Sequence, residues 1–155
     1  MHITLLVLAL ALQAAAGHSN DQVKQRGAHV MGFDQDTTVH KFRLHPDGGA
    51  IDIAVRDGAD RANLEAIRAH LPHIAQMFGE GNFEAPALIH DTNVPGTGRM
   101  AELKSRIRFV YVETPRGGRL DIFTGDPVAL AAVHEFMRFQ IADHRTGDST
   151  AVTKR

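Results

Sequence analysis

The sequence predicts an α+β domain built from two strand-strand-helix repeats, with a four-stranded antiparallel sheet and two helices packed on one face. Three observations lead there. Gly48-Gly49 recurs as Gly117-Gly118, and Ile51-Asp52-Ile53 recurs as Leu120-Asp121-Ile122, at a common offset of 69 residues. Each glycine pair joins two alternating or β-branched segments, as a hairpin does. Each hairpin is followed by apolar residues at helical spacing, the mark of a helix with one buried face. Two such units bury their apolar surfaces together when the strands join one sheet and both helices lie over it.

Residues 3 to 12, ITLLVLALAL, are apolar apart from Thr4, and Gln13 to Gly17 adds a tail of small residues. This is the pattern of the apolar core and cleavage zone of a secretory signal peptide over residues 1–17, although the first residues lack Lys and Arg. An anchoring or buried N-terminal helix is the competing reading. The run is shorter than the roughly 20 apolar residues a membrane span needs, and no second such run follows, so no integral membrane segment is expected after cleavage. The expected location is therefore periplasmic or secreted. Ala14-x-Ala16 offers a cut before Gly17 and Ala15-x-Gly17 one before His18; the second would leave His18 with a free amine beside its imidazole, a copper-chelating pair.

Residues 18–34 read as a polar, glycine-containing lead-in, 35–148 as the single α+β domain, and 149–155 as a polar tail. Thr38 to Leu44 and Ala50 to Val55 form the first hairpin around His45-Pro46-Asp47-Gly48-Gly49. Asp57 to Asp60 supplies a helix N-cap. In the helix that follows, Leu64, Ile67, Leu71, Ile74 and Phe78 share one stripe. Residues 79 to 100 are rich in glycine and proline and read as a site-forming connection, with Ala87 to Ile89 as a short strand or buried loop anchor. Ile107 to Val112 and Arg119 to Thr124 form the second hairpin. Asp126-Pro127 then opens a helix with the cap and first-turn proline in their preferred places, and Leu130, Val133, Met137 and Ile141 form its core stripe.

Zero cysteines exclude disulfides, thiolate metal sites, iron-sulfur clusters and haem attached through CxxCH. Seventeen Lys plus Arg against 18 Asp plus Glu leave no basic footprint, so no nucleic-acid partner is expected. The sequence contains no HExxH, no nucleophile elbow and no phosphate-binding glycine loop. Ten histidines remain as the distinctive chemistry.

Four donors cluster in the sequence. His70, His73 and Met77 flank the core stripe of the first long helix, and His90 follows in the connection. Residues three or four apart on a helix can share a ligand, whereas His70 and Met77 are separated by about 10.5 Å of rise. Imidazole with thioether suits copper, above all Cu(I), while three imidazoles and water suit zinc, and a His or Met can bind noncovalent haem axially. His134 and His144 on the second helix add candidate ligands. Alternation puts His40 on one face with Phe42 and Leu44, so it can point inward, but it ranks below the helix histidines. Each of these has an ordinary reading as a hydrogen-bonded or solvated side chain, and His144 past a helix end is favoured by the helix dipole alone. The expected function is an exported transition-metal-binding protein, copper first. A non-catalytic interaction module without metal and a small metalloenzyme are the alternatives.

The strings RGAHVMGFDQDTTVHKFRLHPDGG, IRAHLPHIAQMFGEGNFEAPALIHD and FMRFQIADHRTGD resemble those of a family of small secreted bacterial proteins, some of whose members are labelled aspartate carbamoyltransferase. The resemblance runs over about residues 26 to 148 and implies export, but carries over no catalytic residue. A carbamoyltransferase chain would imply two α/β domains and a phosphate-binding loop, neither of which the residues here predict.

Overall fold

A computed structural model describes residues 20 to 155. The apolar segment 3 to 12, the cleavage zone and His18 lie outside the described residues. The elements run α1 (Asn20–Met31), β1 (Thr38–His45), β2 (Gly48–Val55), α2 (Arg61–Gly79), α3 (Glu84–His90), α4 (Thr97–Glu102), a 3-10 turn (Lys104–Arg106), β3 (Ile107–Thr114), β4 (Gly117–Thr124) and α5 (Pro127–Asp143). The strands make one antiparallel sheet in the order β1-β2-β4-β3, as the repeat predicts.

The repeat is also visible in the register. At the centre of the sheet Ile51 faces Leu120, its own counterpart 69 residues on. A pseudo-twofold axis therefore passes between these two side chains and relates the hairpins. The hairpin turns are tighter than the glycine pairs imply: His45 pairs with Gly48 across Pro46-Asp47, and Thr114 with Gly117 across Pro115-Arg116, so both glycine pairs belong to strands. Backbone approach explains them. A Cβ on Gly48 would stand 2.0 Å from the Ile122 carbonyl oxygen, and one on Gly117 would stand 2.0 Å from that of Ile53.

Both long helices form where capping and periodicity place them. Asp60 accepts from the Asn63 N–H at the start of α2, and Asp126 accepts from the N–H groups of Val128 and Ala129 at the start of α5, where Pro127 donates nothing and loses nothing. Leu64, Ile67, Leu71, Ile74 and Phe78 are all buried. On α5 the buried stripe is Ala129, Ala132, Val133, Phe136, Met137, Gln140 and Ile141, and Leu130 is only half-buried. The buried face is therefore wider than the expected stripe: Ala129, Ala132, Phe136 and Gln140 join Val133, Met137 and Ile141, while Leu130 lies at the margin. The connectivity crosses over: α2 packs mainly on β3 and β4, and α5 on β1 and β2, so each helix covers the other repeat's hairpin.

Three segments depart from expectation. The lead-in is largely helix: α1 packs against α3 and buries Val23 and Met31. Its stripe is too sparse to stand out, since Gly27 occupies the turn between those two residues. The connection between residues 79 and 100 holds α3 and the start of α4, with Ile89 and His90 buried, so Ala87 to Ile89 is helix rather than strand. The tail is anchored. Val152 bridges to Leu44, the Thr153 N–H donates to the Leu44 carbonyl at 2.9 Å, and Arg155 reaches Asp47, Asp121 and the carbonyls of Gly49 and Ile122. No helix among the described residues is long and apolar enough to cross a membrane.

Candidate functional site

Between the sheet and the helices lies a cavity of about 60 Å³. Its walls are chiefly apolar, from Phe42, Ile51, Ile53, Leu71, Ile74, Phe78, Ile89, Leu120 and Phe136, but four histidines and a methionine also border it: His40 of β1, His70 of α2, His90 of α3, His144 after α5, and Met31 of α1. Five elements thus deliver one soft or nitrogen donor each. Strand alternation turns His40 to the same side as Phe42 and Leu44, and the His144 ring lies over it. The His40 and His144 rings stack with centroids 5.5 Å apart and planes 12° from parallel. His90 meets His144 edge to face at 5.0 Å, and Phe33 stacks on His40 at 5.8 Å while meeting His70 at 5.7 Å.

Burial sets the charge of these rings. It pushes His40 down to about 4, helped by the nearby His70. His70 is likewise pushed down to about 4 by burial and then by His73. His144 is pushed down to about 3, again by burial first, with His40 and His90 adding to it and Asp143 opposing. All three are neutral imidazoles at pH 7, so each has a nitrogen lone pair available. None of the three makes a ring hydrogen bond among the described residues, and the Nε2 of His40 is buried with no partner among them. The side-chain nitrogen of Gln140, another residue bordering the cavity, is also buried without a partner.

His90 is held differently. Its Nδ1–H donates to Asp143 Oδ2 at 2.5 Å, and its Nε2 faces the Gln140 amide oxygen at 3.1 Å. The two orientations of that amide answer to two states of the ring: an imidazolium donates to the amide oxygen, whereas a neutral ring accepts from the amide nitrogen. The sequence places His90 beside Asp91 and His144 beside Asp143, and the fold joins His90 to Asp143. A carboxylate behind a histidine fixes the orientation of its ring.

The donors expected from sequence divide between two places. His70 and His90 border the cavity. His73 is exposed and, with His70, Met77, Glu84 and Leu88, lines a separate groove of about 180 Å³ between α2, α3 and the end of α1. Met77 is half-buried in that groove, so His73 and Met77 do not share a space with His90. His134 is buried away from both, its Nε2–H shared between the carbonyl oxygens of His45 and Gly48 at 2.9 and 3.0 Å, which ties α5 to the first hairpin. His144 does reach the cavity. In the sequence His40 ranks below the helix histidines, Asp143 stands out only as the neighbour of His144, and Met31 and Gln140 carry no signal. Alternation was a usable signal for His40; for the others, tertiary placement alone reveals the role.

A second opening meets the cavity at His40 and His144. It is a polar pocket of about 290 Å³ that also includes Lys24, Asp36, Arg56 and Arg145, so cationic side chains outnumber carboxylates there. Among the described residues, no group of three His, Asp or Glu side chains stands in ready metal-ligating geometry. The cavity histidines adjoin one another but do not converge on one point. Comparison with protein-family models, curated proteins and solved structures finds no match to this chain.

Proposed function

We propose that this chain is an exported transition-metal-binding protein that holds one Cu(I) ion in the histidine cavity, with His40, His70 and His144 as nitrogen donors and Met31 as a thioether. Export rests on the apolar segment and small-residue tail of residues 3 to 17. The observation that carries the metal reading is the buried, partnerless Nε2 of His40, on a ring that stacks against another neutral imidazole. A buried polar atom without a partner costs stability, commonly about 1 to 3 kcal/mol, and such atoms in folded proteins call for a role. A metal ion takes up that lone pair.

The donor set favours Cu(I) on electrostatic grounds. All the donors are neutral and the walls are apolar, so a divalent ion would keep its whole charge in a medium that solvates it poorly. A monovalent ion leaves half that charge, with the Asp143 carboxylate close by behind His90. Thioether and imidazole are the ligands Cu(I) accepts, at low coordination numbers and without water. Zinc, the main rival, would accept the imidazoles but fares worse because its double charge would sit among neutral donors and apolar walls. Noncovalent haem fares worst: about 60 Å³ is well below the roughly 150 Å³ that accommodates benzene. Coordination requires the His40 and His144 rings to leave their stacked arrangement, and no hydrogen bond opposes that turn.

An anaerobic competition titration against a chromogenic Cu(I) chelator tests the reading. One equivalent is expected to bind per chain, and His40→Ala and His144→Ala are each expected to weaken it by about 10- to 100-fold or more, the scale on which even supporting partners of metal ligands act. Unchanged affinity in both variants would remove the cavity as the site.

A further inference from the structure

The groove between α2, α3 and the end of α1 is not absorbed by the cavity site, although it carries the donors most conspicuous in the sequence. His73 and Met77 are one turn apart, where side chains meet, and His73 is exposed while Met77 is half-buried. Groove and cavity share His70, Ile74 and Ala85 as wall residues, so a single layer of side chains separates them. Of that layer only His70 offers a metal donor. Its ring borders both spaces and is held by an edge contact with Phe33 and by no hydrogen bond among the described residues.

The geometry points to this groove as the entry site for Cu(I): His73 and Met77 capture the ion at the surface, and His70 passes it inward to His40 and His144. The inference rests on the cavity reading and adds the route. The transfer is ligand exchange alone. Bonds from copper to the Met77 sulfur and the His73 nitrogen are replaced by bonds to imidazoles of the cavity, and copper stays Cu(I) throughout, so no electron moves.

Charge separates this route from the other opening. The polar pocket at His40 and His144 presents Lys24, Arg56 and Arg145 against Asp36, a field that repels a cation. The groove holds Glu84 and no Lys or Arg, a field that attracts one. A soft donor, an imidazole and a carboxylate at the mouth, with an imidazole behind them, make a graded path. The polar opening supplies a cation with no donor before the cavity rings themselves.

The test is the initial rate at which the full chain withdraws Cu(I) from a chromogenic chelator, set beside the final affinity. His73→Ala with Met77→Leu is the informative variant, since one site is exposed and the other substitution conserves volume; circular dichroism establishes that it folds. The expected result is uptake slowed by about tenfold or more, the range over which association rates respond to such changes, with affinity unchanged within experimental error. An unchanged rate, or faster uptake once Lys24 and Arg145 are replaced by glutamine, would overturn the groove route and leave the cavity site standing. Loss of equilibrium binding in the groove variant, with none in His40→Ala, would make the groove itself the holding site and overturn both readings. A wild-type chain that takes up no Cu(I) would overturn both as well.

Discussion

His40 and His144, from opposite ends of the domain's sequence, stack ring on ring at 5.5 Å, and the buried His40 Nε2 has no hydrogen-bond partner among the described residues. Two such rings cannot both be charged at that distance in an apolar setting. This pair makes the site sensitive to protons as well as to metal.

The metal-free protein should lose stability as pH falls below neutrality. In the unfolded chain His40, His70 and His144 protonate near the ordinary value of 6.5, whereas in the folded chain they stay neutral down to about 4, 4 and 3. The unfolded state therefore binds more protons across that interval. The stabilisation is fully present above about pH 6.5 and declines from there toward pH 4, by about 1.4 kcal/mol per pH unit for each such histidine. Urea unfolding at a series of pH values measures the slope, and His40→Gln should reduce it by roughly one proton's share. A stability that does not change between pH 7 and 5 would contradict the neutral-ring assignment.

Asp143 should matter through His90. Replacing it with asparagine keeps the shape but removes the charge from the 2.5 Å bond, and bonds to charged groups contribute about 1.5 to 3 kcal/mol. Asp143→Asn is expected to cost an amount in that range in urea unfolding and to speed exchange of the His90 Nδ1 proton seen by NMR. Wild-type stability together with an unaltered exchange rate would show that the pair does not hold the ring.

The pseudo-twofold axis predicts matched effects at matched glycines. Gly48→Ala and Gly117→Ala each drive a Cβ to within 2.0 Å of a carbonyl oxygen on the adjacent central strand, so each should cost about 3 kcal/mol or more, the territory of severe overpacking and backbone strain. Gly58→Ala is the control, because nothing lies within 4 Å of its added carbon. Thermal unfolding of the three variants decides, and a Gly48 or Gly117 variant as stable as the Gly58 one would refute the close approach.

Leu71 is 2% exposed and borders the cavity. Leu71→Ala should cost about 2 to 5 kcal/mol, with the enlarged cavity adding to the lost transfer energy. A loss below about 0.5 kcal/mol in urea unfolding would mean that the site collapses freely.

The sheet, both hairpins and both long helices were legible because periodicity, turn residues and caps are local signals, and the 69-residue repeat made each half corroborate the other. The pseudo-twofold pairing of Ile51 with Leu120 follows from the same repeat. The helix α1 was not legible: Val23, Gly27 and Met31 make a stripe one residue wide, and its stability comes from docking on α3. Nor was the anchored tail, since Arg155 gains its place only from Asp47 and Asp121 on the folded sheet. The candidate site was half legible. His70, His90 and His144 were singled out and do border the cavity, whereas helical proximity drew His73 and Met77 into the same group although they line the separate groove. Proximity along a helix says which side chains are neighbours, and says nothing of which side of the helix wall they serve. Met31 and Asp143 enter through contacts between elements far apart in sequence.

The most direct test of the account is a nitrogen-15 NMR titration of the imidazole rings with Cu(I), which is diamagnetic, under anaerobic conditions. The account predicts that the ring nitrogens of His40 and His144 shift strongly up to one equivalent and then stop, that His70 shifts with them, and that His134, bonded to the carbonyls of His45 and Gly48, stays where it is. A titration in which His73 shifts while His40 and His144 do not would contradict it.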